Sequence, residues 1–158
     1  MKKLMLALVA FSLLGCGGGG GGTAAAPPTT SPTVAVSTVA TSATSATYKL
    51  SLAGSVAAGA VKGVQFSLKL PDSVTIKTTI DPGTSGVVPD PSSFYWSGTA
   101  FSGGTMLAGF SSGSLNIGAI STTGFSAGEF ATLVCDVKTG MTAPSSSEFT
   151  VNSLTITN

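Results

Sequence analysis

Apolar and polar residues alternate with period two through the later two-thirds of the chain. Tyr48, Leu50 and Leu52 alternate with Lys49 and Ser51 and stop at Gly54. Val64, Phe66, Leu68 and Leu70 alternate with Gln65, Ser67 and Lys69, the cleanest such run. Successive side chains of a strand point to opposite faces, so this pattern predicts strands with one buried face. Pro71-Asp72-Ser73 turns the chain, and Val74 and Ile76 begin another short strand. Asp81-Pro82-Gly83 and Pro89-Asp90-Pro91 mark further turns, since Pro presets φ and Asp bonds its own backbone. Phe94-Tyr95-Trp96 reads as a strand closed by Ser97-Gly98, and Met106, Ala108 and Phe110 as the next. Residues 115–120 predict a shorter strand, 129–138 a longer one, and 149–157 close the domain. No helix of normal length is expected. Roughly seven to nine short strands between Gly, Pro and Ser turns predict an all-β fold, a two-sheet antiparallel β-sandwich over 47–158. That length is enough for one core and too short for two.

The first 46 residues follow another pattern. Lys2 and Lys3 precede an apolar run over 4–14, too short for a bilayer span of about 20 residues. A short charged region, a short apolar run and a small residue make a cleaved export signal. Residues 17–22 are all glycine, and 23–46 are almost wholly Ala, Thr, Ser, Pro and Val. So little apolar bulk predicts an extended tether over 16–46, with Val34, Val36 and Val39 forming at most a marginal strand at its end. As a coil it spans about 30 Å.

The signal ends in Leu13-Leu14-Gly15-Cys16, which resembles the lipobox of bacterial lipoproteins. The resemblance implies a diacylglyceryl group on the Cys16 thiol, cleavage after residue 15 and acylation of the new amine. Gly17 stands where inner-membrane lipoproteins commonly carry Asp, which favours the outer membrane, on its periplasmic or surface side. Within the domain, Gly63-Val64-Gln65-Phe66-Ser67-Leu68-Lys69-Leu70-Pro71-Asp72-Ser73-Val74 resembles the early strand–turn–strand of cohesin-type domains. Gly128-Glu129-Phe130-Ala131-Thr132-Leu133-Val134-Cys135-Asp136-Val137 is similar to a later cohesin strand, and Phe149-Thr150-Val151-Asn152-Ser153-Leu154 to the closing one. The resemblance implies a jelly-roll-like sandwich related to carbohydrate-binding modules, which binds partners, often dockerin modules, without chemistry. The 111–128 segment carries no charge, whereas dockerin-binding cohesins are acidic there, so no binding residues carry over.

Charge narrows the function classes. All seven basic residues are lysine, balanced by six carboxylates, with no His. Phosphate recognition relies on clustered Lys and Arg, so this balance argues against a nucleic-acid partner. Without imidazole, common Ser or Cys triads and His-ligated metal sites cannot be built. Asp72, Asp81 and Asp90 sit beside proline in turns, and Asp136 lies on the polar face of its strand. No catalytic residue, metal or cofactor is therefore expected. Cys135 is the second of two cysteines and alternates in phase with Ala131, Leu133 and Val137, as a small buried hydrophobe would. The aromatic run supplies the candidate ligand-binding residues, Tyr95 and Trp96, because sugars stack on exposed aromatic faces. In a strand, however, Phe94 and Trp96 share one face, and the pattern favours those two in the core with Tyr95 outside.

These features describe a non-enzymatic, lipid-anchored envelope protein whose sandwich binds another protein. Two alternatives are a carbohydrate-binding module that holds polysaccharide at the cell surface and a structural subunit of an envelope assembly. Cys16→Ser is expected to leave the precursor uncut at the lipobox and free of fatty-acid label, since stable anchoring needs at least two acyl chains. Metabolic labelling with a radioactive fatty acid checks this, and label retained by Cys16→Ser refutes it.

Overall fold

The computed structural model describes residues 31–158. Cys16 and the proposed signal lie outside the described residues. The strands, in chain order, are β1 (Thr33–Thr41), β2 (Ser45–Ala53), β3 (Val61–Lys69), β4 (Val74–Thr75), β5 (Thr78–Ile80) and β6 (Val87–Pro89). They continue with β7 (Phe94–Trp96), β8 (Thr105–Ser111), β9 (Ser114–Phe125), β10 (Gly128–Val137) and β11 (Thr150–Thr157). The first sheet runs β1-β2-β10-β4, with β7 also on the β10 edge, and the second runs β11-β3-β9-β8. All pairs are antiparallel, and β5 and β6 form a separate hairpin. The fold is a two-sheet antiparallel β-sandwich.

The predicted alternation sets which side of each strand is buried. Tyr48, Leu50 and Leu52 of β2 face Val64, Phe66 and Leu68 of β3 across the core, and all six are buried. Ala131, Leu133, Cys135 and Val137 point the same way from β10. One extra residue in β10 changes its phase: Glu129 pairs with Ser51 and Ala131 with Leu50, so Phe130 is a bulge between them. Phe130 and Ala131 are therefore both buried. Phe130 stacks on Phe101 with ring centroids 4.3 Å apart and meets Phe66 edge-on at 6.0 Å. Phe101 also packs on Phe125 at 4.4 Å. The buried hydroxyl of Tyr48 donates to the Pro144 carbonyl at 2.7 Å, while its ring packs on Phe149. A buried hydroxyl left unbonded would cost a few kcal/mol, so this bond matters for the residues that link β10 to β11.

Three expectations are corrected. The tether expected over 16–46 does not reach residue 46: Thr33–Thr41 is a full strand, paired with β2 from Thr33↔Ala53 to Thr41↔Ala46. Half-buried Val34 and Val36 pack against the core, so β-branched bulk that is marginal alone is held by a neighbouring ladder. The short strand expected at 115–120 extends over Ser114–Phe125 and lies between β3 and β8. Beyond Ile120 the polar run Ser121-Thr122-Thr123 and then Gly124 interrupt the apolar alternation and hide its length. At Gly124 glycine is required, because φ is +86° and a Cβ would strike the Gly59 backbone. The β5–β6 hairpin, with its Thr-Thr-Ile and Val-Val runs, lies in a stretch read only as turns.

Leu133 is buried and faces the core centre, so Leu133→Ala is expected to cost about 2–5 kcal/mol. Lys69 points to solvent, and Lys69→Ala should stay within about 0.5 kcal/mol. Urea unfolding monitored by fluorescence measures both, and equal losses would contradict this strand phase.

Candidate binding faces

The sandwich presents two outer sheet faces, and they differ in chemistry. On the first sheet, Tyr95 stands opposite Thr132, Thr132 opposite Lys49, and Lys49 opposite Ser37. Tyr95 is 44 % exposed. Beside it the Lys49 ammonium donates to Glu129 Oε1 at 2.7 Å and to Thr132 Oγ1 at 2.9 Å. The Ser97 hydroxyl donates to the same Glu129 oxygen at 2.7 Å and lies 2.8 Å from Thr132 Oγ1. The Lys49 hydrogen bond, then that of Ser97, holds the Glu129 carboxyl below its usual range. This network joins β2 and β10 to the chain just after β7.

Trp96 does not share that face. It sits opposite Ala131 with its ring half-buried against the core and edge-on to Phe94, centroids 5.0 Å apart. The two candidate residues are thus separated by the strand's own alternation, and only Tyr95 is available to a ligand on the outer face.

The second sheet carries a larger feature that reading the sequence as a list of motifs misses. Its outward positions form three rows across β11, β3, β9 and β8. They read Thr157–Gly63–Ile120–Thr105, then Thr155–Gln65–Gly118–Leu107, then Asn152–Ser67–Asn116–Gly109. None of the side chains in these three rows is charged; the next outward row, Thr150–Lys69–Ser114–Ser111, carries a lysine. Gly63, Gly118 and Gly109 lie on a diagonal and open a shallow groove, beside which Leu107 and Ile120 project 72 % and 66 % exposed. One depression of about 230 Å³ lies between Gly63, Gln65, Gly118, Leu107, Ile120 and Thr157. A second, of about 530 Å³, continues it toward Asn116 and the β5–β6 hairpin, whose Val87 and Asp81 form its far wall.

Neither backbone nor crowding requires those glycines. None of the three has positive φ, a Cβ on Gly118 would meet nothing within 4 Å, and one on Gly109 would come only to 3.9 Å from the Val87 carbonyl. A strand glycine costs about 0.5–1 kcal/mol relative to alanine and often marks close approach of a ligand or another backbone. The one forewarning in the sequence is the uncharged stretch 111–128, which supplies much of this face.

The titratable groups serve the fold. Asp81 accepts from the Gly83 amide at 2.9 Å and the Thr84 hydroxyl at 2.8 Å, and Asp90 accepts from the hydroxyl and amide of Ser92. These bonds lower both carboxyls and tie each to its own turn. Cys135 is fully buried, and desolvation, aided by the neighbouring Asp136, pushes its thiol up to about 12. A thiol so protonated is no nucleophile at neutral pH. Burial, then the proximity of Cys135 and Glu148, likewise pushes the Tyr48 phenol up to about 12. Among the described residues no three His, Cys, Asp or Glu gather where a metal could bind. Comparison with family models and with curated proteins gives no match for this chain.

Cys135 and Tyr48 give the fold an alkaline limit. Both hold their protons more tightly folded than unfolded, so rising pH deprotonates the unfolded chain first. Their contribution is full below the unfolded cysteine pKa of about 8.5, at which the unfolded thiol is half ionised, and declines toward pH 12. Thermal midpoints measured across pH 7–11 should be flat near neutrality and fall above about pH 9. Cys135→Ala should flatten the first part of that fall.

Proposed function

We propose that this chain is a non-enzymatic, lipid-anchored protein of the bacterial envelope that binds a protein partner through the outer face of its second sheet. The carrying observation is the uncharged, glycine-floored groove beside exposed Leu107 and Ile120. Glycine at regular ladder positions, with room for a side chain, suits a surface that another backbone approaches. The lipobox-like Leu13-Leu14-Gly15-Cys16 supports membrane attachment, and the strand order of the cohesin-like resemblance supports partner binding.

A second reading, binding of polysaccharide, is favoured by one observation. Tyr95 is exposed beside the hydrogen-bonding groups of Lys49, Glu129, Ser97 and Thr132. An aromatic face edged by polar groups is suited to a sugar ring.

The two readings use opposite faces and so separate cleanly. Immobilised chain is incubated with envelope extract and, separately, with soluble polysaccharides. Under the leading proposal, Gly118→Val removes protein capture at least tenfold while Tyr95→Ala leaves it intact. Polysaccharide retention that Tyr95→Ala abolishes and Gly118→Val spares would replace it with the second reading.

A further inference from the structure

The second sheet's outer face carries both halves of a complementary surface. Its outward residues fall on parallel diagonals. Gly63, Gly118 and Gly109 form a furrow, and Ile120 and Leu107 form a ridge immediately beside it. Along that diagonal Ile120 falls between Gly63 and Gly118, and Leu107 between Gly118 and Gly109. A two-fold axis in the plane of the face, running between ridge and furrow, carries each onto the other. The ridge of one copy then enters the furrow of its mate, and the reverse contact follows from the symmetry, as an isologous interface requires.

We infer that the partner of this face is a second copy of the same chain. The inference rests on the reading of this face as the binding surface. Three further observations favour a second copy over other occupants. The three rows contain no charge, and the charges that border them, Lys69 in the next row and Asp81 on the hairpin wall, are of opposite sign, so the centres of two identical faces meet without the repulsion that like charges impose on homotypic contact. No aromatic ring lines the open depression over Gly63 and Gly118, so a sugar has no stacking platform there. The furrow is stopped at its Gly109 end by the Val87 carbonyl, which leaves an open stretch about as long as the two-residue ridge.

Size sets the expected strength. Four strands at about 4.8 Å spacing and three outward rows at about 7 Å give a footprint of roughly 400 Å². Stable dimers bury about 800 Å² per partner, so free copies should associate weakly. Confining copies to one membrane raises their effective concentration over free solution and so favours pairing.

The test uses the chain from residue 16 onward carrying Cys16→Ser, so that neither lipid nor the apolar 4–14 run drives association, in sedimentation velocity up to about 1 mM. Reversible dimers are expected. Gly118→Val should weaken them at least tenfold while its thermal midpoint stays level or rises, because the added side chain has room in the monomer. A thermal midpoint that falls with the dimer would point to simple misfolding, and Leu107→Ser, which removes the exposed ridge, then decides. In membranes, Leu107→Cys and Gly118→Cys chains produced together should form a mixed disulfide that neither forms alone. Buried Cys135 supplies no competing thiol. A chain that stays monomeric throughout and gives no mixed disulfide overturns the inference. If Gly118→Val still abolishes capture of a different envelope protein, the binding face survives and only its occupant changes. If Gly118→Val alters neither, the proposed face falls as well.

Discussion

The sandwich turns on the one-residue bulge in β10. Without the extra residue, Phe130 would point to solvent and the first turn of β10 would be out of phase with β2. With it, Glu129 stays outside to bind Lys49 and Ser97, while Phe130 and Ala131 both turn inward. Phe130 then offers a flat face to Phe101, whose plane lies only 7° from its own. That stack draws the 97–101 segment over the end of the core. The bulge thus supports both the aromatic filling of the interior and the polar network beside Tyr95, because a ladder shift by one residue exchanges the two faces of a strand.

Most of the architecture was legible in the chain because a sandwich writes itself in period two. Phe66, Leu68, Leu133 and Val137 were readable as core, and each is buried. The uncertain parts failed for physical reasons. β1 has no apolar stripe of its own to announce it; Val34 and Val36 become a strand only because β2 supplies the ladder. β9 is broken in the sequence by the polar run Ser121-Thr122-Thr123 and by Gly124, which the nearby Gly59 backbone forces. For the two candidate ligand-binding residues, alternation separates Tyr95 from Trp96, as the pattern favours. The furrow was not legible, since its floor comes from β3, β8 and β9 and only strand register brings Gly63, Gly109 and Gly118 onto one diagonal.

The two outer faces solve solubility differently. The first sheet wets its surface with an ion pair whose partners are each about one-third exposed, an arrangement worth little to stability but costly to strip of water. The second, apart from Lys69 at its end, wets its surface with hydroxyls and amides and leaves aliphatic side chains standing among them. Desolvating hydroxyls and amides is cheaper than desolvating charge, so the second face is the one that another surface can cover.

The pairing of β1 has a mechanical consequence. Among the described residues its only strand partner is β2, and it lies at the edge of the first sheet. If Cys16 is the anchor, any pull between membrane and bound partner enters the domain at Thr33. The β1 ladder then takes the load first, while Tyr48, Leu50 and Leu52 remain fixed by β10 on the other side. Release of its nine residues would lengthen the leash by about 30 Å and leave the central strands paired. β1 is in this sense a sacrificial link, able to absorb a tug before the core that positions the two outer faces is disturbed.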